Sequence, residues 1–167
     1  PTLMLETGTT DREATYASGA GTANLTFTYT VQSGDEASDL NYKSTDALSL
    51  EGATLQDAAG NDATLTLPAL GGSHDLAYHA ALVIDGITPT VTSVSSAAAN
   101  GSYGIGGSIP VTVTFSENIT VTGTPTLTLE TGTTDAVVNY SSGTGTSELT
   151  FSYTIAENHS SNDLAYT

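Results

Sequence analysis

The sequence repeats itself at a fixed spacing. Its first eleven residues, PTLMLETGTTD, return at residues 125–135 as PTLTLETGTTD, so the offset is 125 − 1 = 124 residues. The register then holds to the end of the chain, where for example Tyr16 aligns with Tyr140. Because a duplicated sequence duplicates its local structure, one repeat unit is 124 residues long, a size typical of a single β-sandwich domain.

The repeat boundary falls inside the chain. The apolar segment Ala81–Ile84 ends in Asp, Gly and Pro, and a new alternating segment begins at Thr90. These breakers predict a linker. We therefore assign residues 1–85 to the C-terminal part of one repeat and residues 86–167 to the N-terminal part of the next. Each part then lacks strands that the other carries. We expect neighbouring repeats, or head-to-tail copies of this chain, to supply them.

Alternation of apolar and polar residues predicts strands and no helix. Thr and Val suit a pleated, half-buried surface, and glycines separate the alternating segments. The predicted strands are Ala47–Leu50, Ala53–Leu55, Ala63–Leu67, Ala81–Ile84, Ile109–Phe115, Ile119–Val121, Thr126–Leu129, Ala136–Tyr140 and Leu149–Ile155. About nine strands per repeat predict an all-β chain of immunoglobulin-like β-sandwich repeats in tandem, cut out of phase with the repeat.

The charge balance restricts the partners. Two basic residues stand against 18 acidic ones, giving a net charge of −16. Nucleic acid is excluded as a partner because two basic side chains cannot neutralise its phosphates. The sequence contains no apolar run long enough to span a membrane, so we predict no membrane insertion. Acidic surfaces suit hard cations, Ca²⁺ above all, which take oxygen ligands. The absence of cysteine excludes disulfides and thiolate metal sites.

Three segments resemble a known family. They are DAAGNDATLTLP (residues 57–68), IDGITPTVTSVSS (residues 84–96) and VTVTFSENITVTGTPTLTLETG (residues 111–132). Together they are similar to bacterial Ig-like repeats, which form long arrays in giant secreted adhesins and cell-surface proteins. The resemblance implies an extracellular, structural or adhesive role in a stalk or filament. It also implies Ca²⁺ at the repeat junctions, and it does not indicate an adhesive ligand.

The loop at residues 57–62 has two interpretations. It can be a β-turn in which Gly60 takes a positive φ and an Asx side chain caps the backbone. It can also be a Ca²⁺ loop in which Asp57, Asn61 and Asp62 provide oxygen ligands. The resemblance favours the calcium site.

Asp85 and Glu117 are two further candidate ligands. Asp85 lies in the predicted linker, and Glu117 follows an early strand. Because antiparallel strands alternate in direction, we expect both to share one end of a sandwich with the counterpart of Asp57. Carboxylates brought together without a nearby Lys or Arg favour a bound cation. Solvated surface acids are the alternative.

The residues predict no enzyme. We find no Ser-His-Asp order and no phosphate loop. His74, His79 and His159 lack metal-ligand spacing, and we expect all three to be solvated. Two alternatives to the structural role remain. One is a carbohydrate- or protein-binding module that uses exposed Tyr16, Tyr42 or Tyr103, and the other is an accessory domain of a secreted hydrolase.

Overall fold

Thirteen strands and one helical turn make up residues 1–166, the part of the chain that the computed structural model describes. The elements are β1 (Thr2–Glu6), β2 (Arg12–Ser18), β3 (Thr26–Thr28), β4 (Glu36–Ala37), β5 (Asn41–Tyr42), β6 (Leu48–Ser49), α1 (Leu76–His79), β7 (Ile84–Asp85), β8 (Val91–Ser95), β9 (Ser108–Ile119), β10 (Thr126–Glu130), β11 (Ala136–Ser142), β12 (Thr146–Thr154) and β13 (Ala165–Tyr166). The all-β class is confirmed. The expectation of no helix is wrong by one turn, α1. No helix within residues 1–166 is long and apolar enough to cross a membrane.

The chain divides into two units, Pro1–Thr88 and Pro89–Thr167. The predicted boundary after residue 85 lies 88 − 85 = 3 residues before this division. Each unit has its own apolar cluster.

The first unit contains an antiparallel sheet in the order β3-β2-β1-β5, and β6 also pairs with β1 beside β5. A separate ribbon joins β4 to β7. The buried apolar residues are Leu5, Ala14, Leu40, Tyr42 and Ala47. Three residues from the part of the chain after β6 pack against this cluster. They are Leu67, which lies outside any helix or strand, Leu76 in α1 and Ile84 in β7.

The second unit is one antiparallel sheet in the order β13-β10-β11-β12-β9-β8. Its longest pairing joins β12 to β9, from Thr154 opposite Ser108 to Thr146 opposite Ile119. Alternate residues of these strands face the same side because side chains in a strand repeat every two residues. The core cluster consists of Ile109, Val111, Val113, Leu129, Ala136, Val138, Leu149, Phe151 and Tyr153.

Three strands of the duplicated sequence are the same in both units. Strands β1, β2 and β5 have the bounds of β10, β11 and β13 when 124 is added to their residue numbers. The register is also the same: Leu5 pairs with Tyr42 as Leu129 pairs with Tyr166. Even the irregularity between β2 and β3 recurs between β11 and β12. The local sequence therefore specifies the bounds and register of these three strand pairs and the position of the bulge.

Several predicted strands are wrong. Ala53–Leu55 and Ala63–Leu67 form no strand, because a strand requires a ladder and these segments make only isolated contacts, such as Leu67 N–H to the Thr45 carbonyl at 2.7 Å. Ala81–Ile84 reduces to β7. Ile119–Val121 is not a separate strand, since β9 continues through Ile119.

One glycine of the duplicated turn is required by sterics. Gly143 has a φ of 114°, and a Cβ placed there would lie 2.0 Å from the Glu148 carbonyl oxygen. Gly19 has a φ of 110° and the same 2.0 Å approach, to the Asn24 carbonyl oxygen. Gly145, two residues on, has a φ of 83°, but a Cβ placed there would have no neighbour within 4 Å.

We expect Gly143→Ala to destabilise the second unit by roughly 3 kcal/mol or more, because backbone strain and a collision act together. Gly145→Ala is the matched control. It carries only the strain of a positive φ, about 1–2 kcal/mol. Urea unfolding followed through the amide signals of Leu149 and Phe151 measures both changes. Equal losses in the two variants would contradict the steric argument.

Candidate functional site

The Asp57 loop is closed by its own hydrogen bonds. Asp57 Oδ1 accepts from the backbone N–H groups of Ala59 and Asn61, each at 2.9 Å, and Oδ2 accepts from Asn61 Nδ2 at 2.8 Å. These bonds, that of the Asn61 side chain first, lower the pKa of Asp57. Gly60 has a φ of 88°. The structure thus shows the Asx-capped turn, with Asp57 and Asn61 directed towards each other.

The Asp62 side chain, next to this turn, also accepts a hydrogen bond. Its Oδ1 accepts from Gln56 Nε2 at 2.8 Å, and the two residues form an isolated β-bridge. Across residues 1–166, no three Asp, Glu or His side chains lie close enough together to hold a metal ion. Asp57 and Asp62 therefore belong to no group of three such side chains.

Asp85 faces another acid across the ribbon of β4 and β7. It pairs directly with Glu36 in the antiparallel register, and both side chains are exposed. Its Oδ1 accepts from the backbone N–H of Ile87 at 3.1 Å. Like charges directly opposite each other destabilise a strand pair, so a cation here would relieve repulsion.

Glu117 lies within β9 and not in a loop after a strand, as the sequence had predicted. The reason is that Ser116 N–H donates to the Thr90 carbonyl at 2.8 Å, which continues the pairing with β8 past Phe115. Glu117 is half-buried. Its Oε1 is buried without a hydrogen-bond donor among the residues described. A buried carboxylate oxygen without a donor is one that a cation or water could satisfy.

A charged network that the sequence did not reveal holds a corner of the first unit. The Asp35 side chain is fully buried and accepts from Arg12 Nε at 2.7 Å, from the Tyr29 hydroxyl and from the backbone N–H of Gln32 at 2.8 Å. Burial raises the pKa of Asp35, but the bonds from Tyr29, Arg12 and Gln32 outweigh it, and the pKa lies below its usual value. Burial and the bond to Asp35 raise the pKa of Tyr29 to about 12.

The second unit builds the same corner without this ion pair. His159 occupies the position of Asp35, and Ala136 that of Arg12. The ring of His159 stacks on Tyr153, and its Nδ1 lies 2.9 Å from the Tyr153 hydroxyl. His159 is therefore half-buried, and the expectation of a solvated side chain is wrong for it. The sequence did carry a signal for this burial, because His159 aligns with Asp35. Asp35 bonds to Tyr29 in the first unit, and His159 takes its place beside Tyr153 in the second.

The three candidate recognition tyrosines do not share one environment. Tyr42 is buried, and its hydroxyl donates to the Pro68 carbonyl at 2.7 Å. Tyr16 is half-buried against Phe27. Only Tyr103, of these three, is exposed. The prediction that Tyr42 could be an exposed binding residue is wrong, because the segment after β6 covers it.

Each unit leaves open a surface whose repeat equivalent is covered in the other unit. In the first, β3 is three residues long and lies at the sheet edge, whereas its counterpart β12 has nine residues and is paired with β9. Leu25, Phe27 and Tyr29 are only half-buried. Their counterparts Leu149, Phe151 and Tyr153 are 4%, 5% and 3% exposed.

In the second unit the open surface is a groove of about 760 Å³. Leu129, Tyr153, Ile155 and Leu164 are among the residues that line it, and Tyr166 lies at its rim with 59% of its surface exposed. The counterpart of Tyr166 in the first unit is the buried Tyr42. These open surfaces, together with the acidic residues described above, are the candidate functional features of the chain.

Comparison with family models, with curated proteins and with solved structures gives no match. The chain's own two copies are therefore the informative comparison.

The Asp35 network predicts a pH dependence. The pKa of Asp35 in the folded chain lies below its unfolded value of about 3.9. The ionised Asp35 side chain therefore contributes its full stabilisation above that pH, and this contribution is lost as the pH falls through the folded pKa. We expect Asp35→Asn to be less stable than the native chain at pH 7, with a difference that shrinks towards pH 2.5. Urea unfolding, followed at the amides of Leu5 and Ala14, measures it. Glu13→Gln, an exposed control in β2, should show no such narrowing, and a constant difference for Asp35→Asn would contradict the assignment.

Proposed function

We propose that this chain is part of an array of extracellular immunoglobulin-like repeats that forms a stalk or filament of a bacterial surface protein. The observation that carries the proposal is the duplication: β1, β2 and β5 share bounds and register with β10, β11 and β13 at an offset of 124 residues. A sequence that repeats at a fixed period, with the same strands in both copies, is the pattern of a tandem array.

The strand count supports an immunoglobulin-like sandwich for one complete repeat. When equivalent strands are counted once, residues 1–166 contain nine different strands per period: β8 to β12, β13 with its equivalent β5, and β4, β6 and β7. Nine strands in about 124 residues is typical of a variable-type immunoglobulin sandwich. The rival role as a binding module receives less support, because Tyr42 is buried and Tyr16 is half-buried.

The array predicts equal mechanical units. We expect a chain carrying three consecutive copies of residues 1–124, followed by residues 125–167, to unfold under force in steps of one size. Each step should lengthen the chain by roughly 400 Å, since an extended residue spans about 3.3–3.6 Å. Single-molecule force spectroscopy gives the spacing, and the 167-residue chain, which spans little more than one period, is the control. Steps of irregular length would contradict the array.

We further propose Ca²⁺ as the cation that stiffens the junctions between repeats. Asp85 opposite Glu36 is a pair of like charges, and Glu117 has a buried oxygen without a donor among residues 1–166. Asp57, Asn61 and Asp62 satisfy one another or Gln56, so they would join a site only by exchanging those bonds for metal bonds. Asp85 and Glu117 are therefore the stronger of the predicted ligands.

Calcium should raise the melting temperature of the array. A ligand that binds only the folded state at a hundred times its Kd stabilises by about 2.7 kcal/mol, which corresponds to several degrees. Mg²⁺ at equal ionic strength is the control, because the charge of −16 is screened by any salt. Asp85→Asn and Glu117→Gln should each reduce the difference between Ca²⁺ and Mg²⁺, whereas Glu13→Gln should not. Identical melting in calcium and in chelator would refute the calcium site.

A further inference from the structure

The turn that follows β12 closes on the side chain of His159. Two donors lie within hydrogen-bond distance of its Nδ1 atom: the Tyr153 hydroxyl at 2.9 Å and the Ala156 N–H at 3.4 Å. The His159 N–H in turn donates to the Ala156 carbonyl at 3.4 Å. The next amide, that of Ser160, donates to the carbonyl of the buried Thr131 at 2.8 Å. The turn is thus attached to the end of β10 immediately after His159.

The first unit builds the equivalent turn around a carboxylate. Asp35 Oδ2 accepts from the Tyr29 hydroxyl and from the Gln32 N–H. When 124 is added to their residue numbers, these donors are the same two that lie at the His159 ring. His159 Nδ1 therefore takes the place of an ionised carboxylate oxygen, which acts only as an acceptor.

The two donors determine which ring nitrogen of His159 carries the proton. Tyr153 is 3% exposed, and its hydroxyl has no other hydrogen-bond partner among residues 1–166. Burial raises the pKa of Tyr153, so the hydroxyl keeps its proton and has to donate it. Nδ1 must then be without a proton, and the proton of the neutral ring lies on Nε2.

We propose that His159 is a pH-sensitive switch of this turn: the neutral ring holds residues 155–160 in place, and protonation of the ring releases them. Once Nδ1 carries a proton it can no longer accept, so the Ala156 N–H faces another donor and the Tyr153 hydroxyl loses its acceptor. Histidine side chains change charge between about pH 5 and 8, so acid in this range should loosen the turn. In the first unit Asp35 stays ionised over the same range, because its pKa lies below the usual value, and the equivalent turn should not change.

One contact of the ring acts in the opposite direction. The His159 ring stacks on Tyr153 with the ring centroids 5.8 Å apart, and a protonated ring there gains a cation–π attraction. At a half-buried site this attraction is smaller than the cost of leaving the buried Tyr153 hydroxyl without an acceptor. The hydrogen bonds therefore decide the direction of the effect, and protonation opens the turn.

The charges around the ring are all negative. The second unit contains no Lys or Arg, and His159 is its only histidine. The titratable groups on the elements around the ring are acids and tyrosines: Glu130, Asp135, Glu157, Asp163, Tyr103, Tyr153 and Tyr166. Among residues 1–166, none of the acids forms an ion pair with His159. Their field favours the protonated ring through the solvent, but about 0.15 M salt screens it beyond about 8 Å.

Hydrogen exchange in the full 167-residue chain compares the two turns within one molecule. The reporters are the amide of Ser160 and that of its equivalent Glu36, which donates to the Thr7 carbonyl at 3.0 Å. NMR gives their protection factors, which are corrected for the pH dependence of exchange itself, from about pH 7.5 to pH 5 in about 0.15 M salt. We expect protection at Ser160 to fall roughly tenfold, the equivalent of one hydrogen bond, and protection at Glu36 to stay constant.

A variant at the switch separates it from general acid unfolding. His159→Asn places an amide oxygen near the position of Nδ1 and stays neutral, so it should keep Ser160 protected and remove the pH dependence. His79→Asn is the matched control: His79 is an exposed histidine of the first unit, and the fall at Ser160 should remain when it is replaced. The amides of Leu149 and Phe151 in β12 should keep their protection throughout, because only the turn opens.

The nitrogen chemical shifts of the His159 ring give a second readout that needs no variant. At about pH 7.5 they should show the proton on Nε2 and an accepting Nδ1. Three results would overturn the proposal: a neutral ring with its proton on Nδ1, constant protection at Ser160 while the ring titrates, and a fall at Ser160 that persists in His159→Asn. The switch depends on the two copies of the turn and not on the stalk role, so its failure would leave the proposed array in place.

Discussion

The pairing of β12 with β9 is the interaction on which the larger core depends. It places Leu149, Phe151 and Tyr153 opposite Val113, Val111 and Ile109, so that alternate side chains of both strands enter one apolar cluster. Where this partner is missing, in the first unit, the equivalent strand shortens to three residues and its apolar side chains remain half-buried. A strand's length is therefore a property of its partner as much as of its own sequence.

The two copies of the duplicated segment act as an internal control for that conclusion. Strands β1, β2 and β5 keep their bounds and register in both units, since they pair among themselves. What differs is burial: β3 loses its edge partner in the first unit, and Tyr166 loses its cover in the second. The part of the fold that is local to the repeat persists, and the part that requires residues from elsewhere in the repeat period does not.

Acidic residues serve two different purposes in this chain. Asp35 and Asp75 are buried and act structurally: Asp35 binds Arg12 and Tyr29, and Asp75 caps α1 and accepts from Gly71 N–H at 2.6 Å. Asp85 faces the like charge of Glu36, and one oxygen each of Glu117 and Asp11 is buried without a hydrogen-bond donor among residues 1–166. A high count of carboxylates is therefore by itself a poor guide to a metal site, because hydrogen-bond donors of the protein satisfy many of those carboxylates.

The sequence by itself determined the β class, the period of 124 residues and the main strands of the second unit, because alternation and duplication are local signals. It could also foresee the turn at Asp57, where Asx and Gly residues have a defined geometry. Tertiary structure alone decided that Ala63–Leu67 is not a strand, that Glu117 lies within β9, that Tyr42 is covered while Tyr166 is exposed, and that Asp35 pairs with Arg12 across 23 residues. Each of these depends on which distant segment lies alongside, and a pattern of period two carries no information about its partner.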